Sequence, residues 1–211
     1  FTTIKAFAAL KEDGSVVTWG KGLSEGEDNY GGDSSAVVDS LTSEVQTVFS
    51  TNAAFAALKE DGSIVTWGRS VYGGDSSAEA DTLASGVQTI FSNRYAFAAL
   101  KEDGSVVTWG GAGFGGDSSE VADLLTSGVE TVVSTRHGGF AALKEDGSVV
   151  TWEDYYGGDS SVVAASLTSG VQTIFSTWTA FAALKEDGSV VTWGVAADGG
   201  DSSAIQPLNL C

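Results

Sequence analysis

The run Ala96-Phe97-Ala98-Ala99-Leu100-Lys101-Glu102-Asp103-Gly104-Ser105-Val106-Val107-Thr108-Trp109-Gly110, followed by Gly115-Gly116-Asp117-Ser118-Ser119, decides the fold. From Ala96 to Lys101 small and large side chains alternate, and Val106 to Trp109 is β-branched and aromatic, so both runs read as strands. Asp103-Gly104 between them is a hairpin signal, because glycine accepts the positive φ of a tight turn. The stretch is one copy of several. The Asp of Gly-Gly-Asp-Ser-Ser recurs at Asp33, Asp75, Asp117, Asp159 and Asp201, a constant spacing of 42 residues. The strand-end tryptophan recurs at Trp19, Trp67, Trp109, Trp152 and Trp193, with gaps of 48, 42, 43 and 41. Self-similarity at this period marks a solenoid, a propeller or an array.

Each unit holds a hairpin, the Gly-Gly-Asp-Ser-Ser turn, a short run such as Ala36 to Leu41 that reads as a strand or an irregular segment, and a further strand of the type Val171-Gln172-Thr173-Ile174-Phe175-Ser176. Helical periodicity is weak, and the lone Pro207 lies in the C-terminal tail, which disfavours a helical solenoid. The fold class that follows is all-β, a five-bladed β-propeller of about 42-residue repeats occupying 1–211 as a single domain. The Val-Gln/Glu-Thr strand occurs four times, at Val45, Val87, Val129 and Val171, and the last unit stops without one. Phe1, Thr2, Thr3 and Ile4 match Val171 to Ile174 in character. The expectation is that the N-terminal strand completes the last blade and closes the ring, although Ile4 lies only three positions before Phe7 where Ile174 lies seven before Phe181.

The order of Val-Gln-Thr-Ile-Phe-Ser, a short variable loop, Ala-Phe-Ala-Ala-Leu-Lys-Glu-Asp-Gly-Ser-Val-Val-Thr-Trp-Gly and a glycine-rich turn resembles the repeat of the regulator of chromosome condensation family, over essentially the whole chain. The Gly-Gly-Asp-Ser-Ser variant resembles repeat arrays of dinoflagellate and other marine algal proteins. The resemblance implies a β-propeller. The family's usual seven blades, its His before the Ala-Leu strand and its Gly-Gln-Leu-Gly turn are not matched. Nucleotide exchange on a small GTPase belongs to one branch of that family, and no residue here carries it over.

The chain has 211 residues, 42% of them hydrophobic and 18% charged, and its formal net charge is −18. Such a field repels phosphate backbones and anionic lipid, which argues against nucleic acid as a partner. No apolar run is long enough to span a membrane, so no membrane insertion is expected. The chain begins at Phe1 and contains no Met, which reads as a processed chain or a fragment, and no compartment is assigned. Cys211 is the single cysteine and has no internal disulfide partner.

Catalysis needs unlike groups that converge, and the chain offers one histidine, His137, without a nucleophile elbow or phosphate loop. No catalytic residue, no metal ligand and no cofactor is therefore assigned, and the chain is read as no enzyme. Rings of repeated carboxylates, Asp13, Asp61, Asp103, Asp146 and Asp187 or the five Asp before Ser-Ser, suit calcium in principle. Turn chemistry accounts for both sets more simply. The five repeated tryptophans read as packing between blades. A ring of them stacking on sugars would make the chain a lectin with carbohydrate as its ligand, and that is the alternative function. Binding is better sought where the template breaks. Before the Ala-Phe strand stand Asn52 and Ala53, Arg94 and Tyr95, Arg136 and His137, and Trp178 and Thr179. Equivalent propeller loops share a face, and Arg, Tyr and Trp dominate binding hot spots. Arg94, Tyr95, Arg136, His137 and Trp178 are the candidate binding residues of a protein-binding or scaffold propeller, acting alone or within a larger assembly. The longer loop from Lys21 to Tyr30 is a second candidate contact.

Overall fold

The computed structural model describes residues 1–22, 29–153 and 157–203. Their strands form five antiparallel sheets. The first is the hairpin of β1 (Ala6–Leu10) and β2 (Val16–Gly20). The second holds β3 (Val45–Ser50), β4 (Ala54–Lys59) and β5 (Ile64–Gly68), and the third β6 (Val87–Ser92), β7 (Ala96–Lys101) and β8 (Val106–Gly110). The fourth holds β9 (Val129–Ser134), β10 (Phe140–Lys144) and β11 (Val149–Trp152), and the fifth β12 (Val171–Ser176), β13 (Ala180–Lys185) and β14 (Val190–Gly194). In each three-stranded sheet the Phe-Ala-Ala-Leu-Lys strand is central.

The register follows from the hairpin. Phe97 faces Trp109 and Leu100 faces Val106, with the same pairing in the other sheets. At the turn, Gly104 N–H donates to the Lys101 carbonyl and Lys101 N–H to the Ser105 carbonyl, closing a three-residue loop around a type I turn. Gly104 has φ +74°, and a Cβ there would stand 2.7 Å from the Gly128 nitrogen of the next unit, so both conformation and space demand glycine. The turn also ties neighbours together, because the Gly104 carbonyl accepts the Val129 N–H at 2.9 Å. The run after Gly-Gly-Asp-Ser-Ser is neither strand nor irregular but a 3-10 turn, as at Ser35–Leu41 and Ser119–Leu125, burying its last leucine.

Alternation along the central strand sorts side chains onto two faces. Phe97, Ala99 and Trp109 turn back toward the second sheet and pack on its Ala54, Ala56 and Leu58. Ala96, Ala98 and Leu100 turn forward and pack on Phe140, Ala142 and Trp152 of the fourth. Equivalent buried clusters join the first sheet to the second and the fourth to the fifth. Small residues forward against large aromatics backward let successive sheets approach closely, and the repeated core lies between sheets.

The chain's start departs from expectation. Thr2 pairs with Phe7 of its own sheet, and the Phe1 carbonyl accepts the Ala8 N–H at 3.0 Å. Thr3 Oγ1 accepts the Ala6 N–H at 2.9 Å and donates to the Tyr30 carbonyl at 2.8 Å. Thr51 makes the same two contacts, with Ala54 and Tyr72. Phe1-Thr2-Thr3 is thus the equivalent of Phe49-Ser50-Thr51 and supplies a third-strand stub to the first sheet. Three residues between Thr3 and Phe7 suffice for the local turn and for nothing longer, which is why the segment stays at home. Closure of the ring is not shown: among the described residues, no buried cluster joins the fifth sheet to the first.

Candidate functional site

The loops that enter the central strands are anchored before they vary. Thr51, Thr135 and Thr177 each accept a backbone N–H at the strand entry through Oγ1. Asn93 does this with Oδ1, which accepts Tyr95 and Ala96 N–H, while its Nδ2 donates to the Phe114 and Gly138 carbonyls. The residues after these anchors are strung from unit to unit by backbone bonds: Ile4 N–H to Asn52 O at 3.0 Å, Asn52 N–H to Arg94 O at 3.0 Å and Arg94 N–H to Arg136 O at 3.3 Å. The series ends with His137 N–H to Trp178 O at 3.2 Å. Beneath it, Ser92 Oγ donates to Ser50 O, Ser134 Oγ to Ser92 O and Ser176 Oγ to Ser134 O. These links place the variable loops of successive units side by side.

Four of the five candidate side chains meet there. Arg94 Nη1 lies 3.5 Å from His137 Nε2, His137 packs on Trp178 with ring centroids 5.8 Å apart, and the Arg136 guanidinium lies 5.2 Å from the Trp178 ring centroid. A guanidinium can only donate, so the Arg94 contact requires a His137 tautomer with Nε2 unprotonated. Trp178 is 61% exposed, and a cation over such a ring is attracted by its quadrupole. Tyr95 turns aside instead. It is stacked on Phe114 at 4.0 Å and leans on Tyr72 at 5.3 Å, which makes it the support of the loop more than its contact surface.

Among the described residues neither Arg94 nor Arg136 has a carboxylate partner; the ion pairs are Lys11–Asp13 and Lys59–Glu44. Arg94 Nε is buried and also lacks a hydrogen-bond partner. Both arginines border a groove of about 280 Å³, together with Ser50, Asn52, Ser92 and Asn93. The wall is thus cationic and amide- and hydroxyl-bearing, suited to a carboxylate or another electron-rich group. Sequence reading missed the Ser50, Ser92, Ser134 and Ser176 ladder and the Asn93 anchor. The signal was present, since those serines also recur at 42 residues, but a strand-end serine carries no chemistry until its neighbour is placed.

The other repeated candidates have local partners. Asp61, Asp103, Asp146 and Asp187 each accept the N–H and the hydroxyl of the serine two residues on, and Asp13 does likewise. The serine hydroxyl foremost, then its N–H, holds these carboxyls below the usual range. Asp33, Asp75, Asp117, Asp159 and Asp201 accept the N–H of Ser35, Ser77, Ser119, Ser161 and Ser203. Trp67, Trp109, Trp152 and Trp193 are at most 5% exposed and stack on Phe55, Phe97, Phe140 and Phe181, so they offer no sugar-stacking ring. Most of the Lys21 to Tyr30 loop, Pro207 and Cys211 lie outside the described residues. No helix among those described is long and apolar enough to cross a membrane.

No protein-family model matches the sequence, and no curated protein matches it. Solved structures do. The structure of Kap60 bound to yeast RCC1 (Prp20) is matched at TM-score 0.51 and 16% identity, over 91% of this chain and 54% of that chain. Prp20p of Saccharomyces cerevisiae, studied for binding to Gsp1p and histones, is matched at 0.52 and 15% identity, over 91% and 56%. Human WBSCR16 is matched at 0.53 and 15% identity, over 90% and 59%. The chain spans little more than half the length of these structures, and at such identity the likeness is one of fold. The likeness lies in the series of packed antiparallel sheets, and in fold the chain is an RCC1-like β-propeller.

Proposed function

We propose that the chain is a non-catalytic protein-binding module, and that its contact surface is the loop face built by Arg94, Arg136, His137 and Trp178, with Tyr95 as support. One observation carries this reading. In a chain of net charge −18, two arginines border one groove without a carboxylate partner among the described residues, one of them over an exposed tryptophan. Unpaired cations next to an exposed aromatic are of little use for solubility, and Arg and Trp are the residues on which protein interfaces concentrate their energy. The partner surface they fit is acidic with aromatic content. Prp20p, similar in fold, binds Gsp1p and histones, which supports protein recognition as the class of activity and names no partner for this chain.

A labelled peptide of alternating glutamate and tyrosine, titrated with the protein and followed by fluorescence anisotropy, tests the reading. Binding should exceed that of the matching lysine–tyrosine peptide. It should weaken at least tenfold, about 1.4 kcal/mol, when Arg94, Arg136 and Trp178 are replaced by alanine. Equal binding of both peptides, or full binding by a folded triple variant, contradicts it.

A further inference from the structure

The chain carries 28 Asp and Glu against 10 Lys and Arg, yet none of the residues lining the groove between the variable loops is acidic, and two are arginines. The lining is drawn mainly from the second, third and fourth units, at Ser50 and Asn52, Ser92 to Arg94, and Arg136. Part of it is committed to holding the loops in place. Ser92 Oγ donates to the Ser50 carbonyl, and Asn93 spends Oδ1 and Nδ2 on backbone groups. Backbone bonds from Asn52 N–H to Arg94 O and from Arg94 N–H to Arg136 O set the spacing of the three loops. What remains for a ligand is the Ser50 hydroxyl, the Asn52 amide and two guanidiniums that have no carboxylate partner among the described residues.

Charge decides what such a site takes. Arg94 is partly buried, with its Nε shielded and unpartnered, and a cation withdrawn from water without compensation is costly. A carboxylate answers one of the two guanidiniums. A phosphate monoester carries a charge of about −2 and three acceptor oxygens, so it answers both and still accepts a bond from Ser50 or Asn52. A phosphodiester brings less charge to each arginine, and its polyanionic chain meets the −18 field. We infer that the groove is a phosphate-monoester site whose ligand is a phosphorylated side chain of the partner protein. The inference rests on the loop face being a protein-contact surface, and it names the group that the two arginines receive. Arg136 joins the two, since it borders the groove while its guanidinium lies over the Trp178 ring, so the chain that carries the phosphate runs onto the loop face.

The test is fluorescence anisotropy with three labelled peptides of one glycine–serine–tyrosine sequence, bearing serine, glutamate or phosphoserine at a single central position. The phosphoserine peptide should bind at least tenfold more tightly than the glutamate peptide, and the serine peptide more weakly still. Arg94→Gln and Arg136→Gln should each abolish that preference with unchanged far-ultraviolet circular dichroism. Where a variant fails to fold, competition on the wild-type chain decides: inorganic phosphate should displace the phosphoserine peptide, and chloride at equal ionic strength should not. Equal binding of the glutamate and phosphoserine peptides overturns the phosphate site and leaves the acidic-partner reading standing. Inorganic phosphate that binds as tightly as the phosphoserine peptide overturns the assignment to a partner chain. A phosphoserine peptide that does not bind, or that phosphate does not displace, overturns the site itself.

Discussion

The hairpin aspartates show how a single residue serves the fold here. Each carboxylate closes its turn by taking two hydrogen bonds from the serine two positions on, and those bonds hold its pKa below the usual range. A folded-state pKa below the unfolded value contributes stability that is present above the unfolded pKa and disappears as pH falls through the folded one. Protonation also relieves the self-repulsion of the −18 chain, which acts in the opposite direction, so the informative quantity is a difference. Melting temperature should hold between pH 7 and about 5 and decline below about pH 4, where carboxylates begin to titrate. The decline should be shallower in the combined variant Asp61→Asn, Asp103→Asn, Asp146→Asn, whose turns do not titrate. Parallel curves would mean that the turn carboxylates do not govern acid sensitivity. The turn role of these residues was legible from Asp-Gly-Ser alone, because Asx chemistry is local. The Arg94–His137 and Arg136–Trp178 contacts were legible only as membership of one variable loop, since the distances depend on how far successive sheets are rotated.

At the scale of elements, strand positions follow the alternating pattern and hairpin register follows the glycine. The start of the chain shows where pattern fails. Phe1-Thr2-Thr3-Ile4 resembles Val171 to Ile174 in character, yet it aligns equally with Phe175-Ser176-Thr177-Trp178, and the threonine anchor decides for the second. The short spacing from Ile4 to Phe7 was the clue, because only the second alignment needs no trimmed loop. The 3-10 turns were ambiguous for a related reason: Ser-Ala-Val-Val carries β-branched residues without alternation, and burial of Leu41 rather than propensity sets its conformation. With the N-terminal stub confined to the first sheet, deleting Phe1 to Thr3 should expose β1 alone. Amide exchange of Ala6 to Leu10 should accelerate while the β7 and β10 amides stay protected, as expected of local opening. Loss of protection in β13 as well would show that the segment bridges to the last sheet after all.

At the scale of the molecule, five similar units become a stack because each turns aromatics backward and alanines forward. A period of 42 residues announced the repeat, and the tryptophan's burial between units was the expected reading. What the sequence could not settle was whether the last unit meets the first, since closure depends on the accumulated rotation between sheets rather than on any one residue. Trp19 reports on this, being the only repeated tryptophan that stands half-exposed. The central claim, a series of sheets packed through buried tryptophans with an aromatic face open at its start and a loop face marked by Trp178, is tested most directly by hydrogen exchange of the six indole N–H groups. The measurement is made by nuclear magnetic resonance in dilute, monomeric protein. Trp67, Trp109, Trp152 and Trp193 should exchange slowly, and Trp19 and Trp178 fast. Slow exchange at Trp19 equal to that of Trp109, or fast exchange at all five repeated tryptophans, would contradict it.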